Sequence, residues 1–91
     1  MRSEHITELA LNAIQFIAGD ERLLTGFMQM AGLSPNELRH RIAEPELQGG
    51  VLDFMLSEDA IILAFCEAFG HRPQDVIAAR RHLPGASLDE Y

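Results

Sequence analysis

Residues 27–38, Phe27-Met28-Gln29-Met30-Ala31-Gly32-Leu33-Ser34-Pro35-Asn36-Glu37-Leu38, decide the fold class. Leu23, Leu24, Phe27 and Met28 share one side of a helix over about 21–31. Gly32 fits the left-handed position that closes such a helix, since it has no Cβ to oppose a positive φ. Ser34-Pro35-Asn36-Glu37 then opens another. The serine hydroxyl can cap the first turn, the missing N–H of proline does no harm there, and Glu37 can cap back. Leu38 and Ile42 are the expected core contacts of this third helix.

Before this stretch, Ile6, Leu9, Ala10, Ala13, Ile14 and Ile17 recur at helical spacing over about 4–18, with Ser3 as the expected N-cap and Gly19-Asp20 as the break. After it, the plan returns at a fixed offset of 38 residues: residues 46–81 laid over 8–43 match Glu46 with Glu8, Phe54 with Phe16, Phe65 with Phe27, Gly70 with Gly32 and Pro73 with Pro35. A fixed internal period points to a repeated supersecondary unit. The second unit predicts a helix from Pro45 through Leu56, a helix from Glu58 to Phe69 capped by Ser57, and a last helix from Pro73 to about Leu83. Pro84-Gly85 ends it. No run joins β-branched richness to two-residue alternation, so no sheet is expected. The expected architecture is all-α: a compact bundle of about six short helices in one domain over 1–85, built from two pseudo-repeats of a three-helix unit, with a flexible acidic tail at 86–91.

The stretch from Glu58 to Phe69 is apolar almost all round, with Leu63 and Phe69 where the first unit has Thr25 and Ala31. That predicts the central helix of the bundle, or else a face covered by a partner. Gly49-Gly50 costs about 1 kcal/mol of helix stability per glycine relative to alanine, which implies a weak helix or a close backbone approach. Arg80 follows Val76 by four residues and Ile77 by three, so its stem is expected to pack on the bundle with the guanidinium paired to a carboxylate.

Composition narrows the function classes. Fourteen acidic residues against seven basic ones, all arginine, give a formal charge of -7. That repels nucleic acid and anionic lipid at long range. The longest strongly apolar stretch, Ala60 to Phe69, is too short for a membrane span. The N-terminus lacks the pattern of an export signal, so a cytoplasmic location is the expectation. Cys66 is the one cysteine and falls in an apolar run, which predicts a buried, unreactive thiol. Catalysis needs a nucleophile, base or metal cluster in mutual reach, and none of the spacings supplies one. His40 with Glu44 and His71 with Asp75 offer two ligands each, fewer than the three or four of a zinc site. Neither enzyme activity, metal nor cofactor is expected.

Phe27 to Ile42 and Phe65 to Leu83 each hold a helix, a glycine, a proline three residues on and an apolar anchor, a spacing similar to the helix-turn-helix of bacterial regulators. Short αα-hairpins need the same residues. If DNA were bound, Asn36, Arg39 and His40, or Gln74, Ala78 and Arg81, would reach it, opposed by Glu37 and Asp75 and by the net charge.

Four motifs in order, Ala13-x-x-Phe16-Ile17-Ala18-Gly19-Asp20, the run Gly32-Leu33-Ser34-Pro35-Asn36-Glu37-Leu38-Arg39, then 51–56 (Val-Leu-Asp-Phe-Met-Leu) and 78–85 (Ala-Ala-Arg-Arg-His-Leu-Pro-Gly), resemble an uncharacterised family of small all-helical proteins found mainly in alpha-proteobacteria. The likeness spans about residues 5–85 and implies a bacterial cytoplasmic helical protein, with no activity to carry over.

The expected function is a small non-catalytic protein–protein interaction module whose partner is unknown, a homodimer being one form it can take. The alternative is a nucleic-acid-associated regulator. The candidate partner-binding residues are Leu63 and Phe69 for an apolar contact and Arg39, Arg41 and Arg81 for an acidic one.

Overall fold

The break-and-restart punctuation of the sequence is realised as six helices in a computed structural model that describes residues 2–84: α1 (Ser3–Ala18), α2 (Glu21–Ala31), α3 (Pro35–His40), α4 (Pro45–Leu56), α5 (Asp59–Phe69) and α6 (Pro73–Arg81). No strand occurs among the described residues. The expected tail at 86–91 lies outside them.

The caps show why the helices stop where they do. Gly32 and Gly70 take φ of 70° and 73° and return their N–H groups to the Met28 and Cys66 carbonyls. Around α3 the reciprocal cap forms, Glu37 N–H donating to Ser34 Oγ at 3.2 Å and Ser34 N–H to Glu37 Oε1 at 2.9 Å. The Asp20 carboxylate accepts from the N–H groups of Arg22 and Leu23 at the start of α2. Two expected caps are corrected. Ser3 is already helical, and Arg2 holds the cap position without a side-chain bond. Ser57 ends α4 instead of starting α5: its hydroxyl donates back to the Phe54 carbonyl, and Glu58 takes the cap position. A serine one residue too early serves the helix behind it, because its hydroxyl reaches the i−3 carbonyl.

The centre of the bundle is shared by α1 and α4 and is not α5. Leu47, Val51, Leu52 and Met55 are buried on α4 together with Gln48 and Gly49, and α4 packs against α1, α2, α5 and α6. On α5 only Ile62, Phe65 and Cys66 are buried, whereas Ala60, Leu63 and Ala64 face solvent. High mean hydropathy on a short helix does not by itself say how many neighbours surround it. The core joins these residues to Leu9, Ala13 and Ile17 of α1, Phe27 of α2, Leu38 of α3 and Val76 and Ala79 of α6. Edge-to-face rings tie its layers together, Phe16 with Phe65 at 5.6 Å between centroids and Phe27 with Phe54 at 5.8 Å. Full burial of rings such as Phe27 and Phe65 contributes about 2–3 kcal/mol each. Burial also pushes the Cys66 thiol pKa above its ordinary value, with the Asp75 charge adding to the effect.

Arg80 behaves as its position suggests. It is 3% exposed, and its Nε and Nη2 donate to the two carboxylate oxygens of Asp53 at 2.6 and 2.8 Å. Its Nη1 donates to the carbonyls of Leu83 and Pro84. The close approach expected near the glycine pair occurs at Gly49 alone, and it is made by the turn after α6: a Cβ there would stand 2.8 Å from the Pro84 carbonyl oxygen, whereas one on Gly50 would meet nothing within 4 Å. The last helix ends at Arg81, close to the expected end at about Leu83.

Candidate functional site

An α-helix buries one stripe, so an apolar residue off that stripe is left to solvent. On α1 the buried stripe is Ile6, Leu9, Ala10, Ala13, Ile14 and Ile17, and Leu11 falls outside it at 40% exposure. Across from it, Ile42 follows the end of α3 and is 37% exposed instead of forming the core contact expected of it. The six residues of α3 are only enough to anchor the helix through Leu38, and the chain leaves it as a turn before Ile42 can reach the core.

Leu11 and Ile42 face a groove of about 560 Å3 whose walls come from three parts of the chain. Ser3, Ile6 and Thr7 of α1 form one wall, Ala43 and Pro45 the second, and His82, Leu83 and Pro84 the third, with Gln48 of α4 also lining the groove. Gln48 is buried, and its Nε2 donates to the Ile42 carbonyl at 3.0 Å, pinning the linker between α3 and α4 to the groove. The Arg80–Asp53 pair fixes the third wall, because the same guanidinium holds the Leu83 and Pro84 carbonyls. His82 donates through Nδ1 to the Ala78 carbonyl at 2.9 Å. The groove continues over the solvent face of α1, where a shallower cleft is lined by Glu4, Glu8 and Asn12 as well as Ser3, Thr7 and Leu11. An apolar trough with a few polar groups at its edge can hold apolar side chains and orient them.

The candidate residues read from the sequence are not brought together here. Leu63 is 60% exposed on α5. Phe69 is half-buried and packs edge-on against Phe16 at 6.3 Å between centroids. Met55 is fully buried and Met30 exposed, so the methionines do not share one surface. Arg39 is exposed and donates to Asn36 Oδ1, Arg41 pairs with Glu44 at 2.8 Å, and Arg81 is exposed at the end of α6. His40 bonds the Asn36 carbonyl through Nδ1, and Glu44 is paired with Arg41. His71 and Asp75 do share a cleft of about 300 Å3 with His5 and Glu8. There the ring of His71 stacks on Phe65 and its Nε2 accepts from the Asn12 amide at 3.0 Å, while Asp75 faces Arg72 at 3.5 Å. No group of three or more metal-binding side chains is assembled among the described residues. No helix among them is long and apolar enough to cross a membrane.

Fold and groove together define a small all-helical protein with an apolar surface trough. Over residues 3–86 the chain matches the family described as protein of unknown function DUF3572, and it belongs to that family. No curated protein and no solved structure matches it.

Proposed function

We propose that this chain is a small, non-catalytic protein–protein interaction module of the cytoplasm and that its contact surface is the groove bordered by Leu11 and Ile42. The observation that carries this reading is the groove itself, which leaves two large apolar side chains in solvent although the core beside it is closed. Helix-in-groove recognition uses such a trough, taking apolar anchors spaced along one face of a partner helix. A non-catalytic role is supported by the titratable groups. His40 and His82 each bond a carbonyl one helical turn back, His71 bonds the Asn12 amide of α1, and Arg41, Arg72 and Arg80 stand in ion pairs.

The test compares capture from native lysate by the unaltered protein and by a Leu11→Asp, Ile42→Asp double variant, after circular dichroism has shown both to be folded. Proteins retained by the first and lost from the second support the reading. Identical retention by the two, together with a monomeric mass for both in sedimentation, would remove it.

A further inference from the structure

The partner's chemistry is legible in what borders the groove. Leu11 belongs both to the apolar trough and to the shallow cleft beside it, and in that second cleft it stands with Glu4 and Glu8, one helical turn apart on the solvent face of α1. Both glutamates are exposed. They sit in the first half of α1, so the trough carries a carboxylate edge along one side. In the linker between α3 and α4, Arg41 is paired with Glu44. The whole chain bears a formal charge of -7, which attracts cationic partners at long range and repels acidic ones.

Resting on the interaction reading above, we propose that the groove takes a basic amphipathic helix, with its apolar residues seated between Leu11 and Ile42 and its Lys or Arg side chains over Glu4 and Glu8. The two parts of the surface have separate jobs. The trough supplies burial and therefore affinity. The carboxylate edge selects the sign of the partner's polar face and speeds the encounter.

The experiment uses two fluorescent peptides of about 16 residues, long enough for anchors at i, i+3 or i+4, and i+7. They share one leucine stripe and differ only in their polar face, lysine in one and glutamate in the other. Each is titrated by anisotropy against the full chain and three variants: Leu11→Asp, the pair Glu4→Lys with Glu8→Lys, and the pair Glu21→Lys with Glu58→Lys. The last pair makes the same change in net charge beyond the far ends of α1 and α4, which both begin at the groove and extend about 24 and 18 Å from it at 1.5 Å per residue. Thermal unfolding of every variant is recorded alongside.

The expected result is roughly tenfold tighter binding of the lysine peptide than of the glutamate peptide. Leu11→Asp abolishes it, the Glu4–Glu8 pair weakens it roughly fivefold, as two surface ion pairs allow, and the distant pair weakens it less than twofold. Leu11-dependent binding that is equal for both peptides, or weakened equally by the near and distant pairs, overturns the basic partner and leaves the interaction reading standing. Binding of neither peptide, or binding indifferent to Leu11 in folded protein, overturns both.

Discussion

Arg80 of α6 grips Asp53 of α4 with two parallel bonds, Nε to Oδ1 at 2.6 Å and Nη2 to Oδ2 at 2.8 Å, across 27 residues of chain. The guanidinium is buried, whereas the Asp53 side chain is 43% exposed. The desolvation burden therefore falls mainly on the arginine, and removing its carboxylate leaves a charge with nothing to balance it. Asp53→Ala is expected to destabilise the fold by about 2–4 kcal/mol, less than for a fully buried partner. Urea denaturation measures this directly, and a loss under about 1 kcal/mol would mean that the pair does not hold α6 in place.

The two adjacent glycines of α4 respond oppositely to the same change. Gly50→Ala places its methyl in open space and is expected to stabilise the protein by about 0.5–1 kcal/mol through helix propensity. Gly49→Ala drives a methyl to 2.8 Å from the Pro84 carbonyl oxygen and 3.0 Å from Arg80 Nη1, and is expected to cost about 1–3 kcal/mol. Thermal midpoints moving in the same direction would contradict the packing of the 82–84 turn on α4.

Hydrogen bonds from the Ser34 backbone and then its side chain hold the Glu37 carboxyl below the ordinary glutamate value. A lowered folded value means that this cap stabilises α3 fully above the unfolded glutamate value and loses that contribution as pH falls through the folded one. An NMR titration of the side-chain carboxyl is expected to show a midpoint below that of an unstructured glutamate. Ser34→Ala should move the midpoint upwards. An unchanged midpoint in that variant would assign the shift to the Ser34 backbone N–H, which alanine retains, and not to the hydroxyl.

For Cys66 the sign is reversed. Burial raises the thiol value, so the folded chain keeps its proton to higher pH than the unfolded one. Stability from this group is complete below the unfolded thiol value and declines as pH climbs past it. A thiol-reactive disulfide reagent at mildly alkaline pH is expected to label native protein more slowly than urea-unfolded protein, because burial shields the sulfur and only the thiolate attacks. Comparable rates would place the thiol at the surface.

Arg39 and Arg41 are both engaged with neighbours, and Glu37 stands in the first turn of the same six-residue helix. Duplex DNA titrated with the protein at about 50 mM salt is therefore expected to show no saturable anisotropy change, since phosphate-driven binding is strongest under those conditions. Saturable binding that weakened steeply at about 200 mM and was lost on reversing Arg39, Arg41 and Arg81 would favour the regulator reading.

Local chemistry was readable from the residues, and long-range chemistry was not. The closing glycines of α2 and α5, the Ser34–Glu37 cap and the proline starts of α3, α4 and α6 all depend on neighbours within a turn of chain. Arg80 was legible as an inward-turned cation from its spacing to Val76, yet Asp53 as its partner was not, because nothing local distinguishes that carboxylate from the others. The rank of α5 failed for a related reason. Composition records how apolar a helix is, but its neighbours are set by long-range packing, such as the turn after α6 that closes on Gly49 of α4. For the groove, the available signal was Leu11, a leucine off the buried stripe of its own helix. Ile42 gave no such warning, since helical spacing after Leu38 holds only while the helix continues, and α3 stops at His40.

Ser3 and Pro84 line the same groove, so the two ends of the described chain are neighbours in space. The bundle is thus topologically close to a ring. A short linker from 84 to 3 could close it, and the chain could be reopened at the exposed turn around Gly32 without severing a helix. The same proximity governs handling: both ends of the described chain border the trough, whereas the Gly32 turn is not part of its lining.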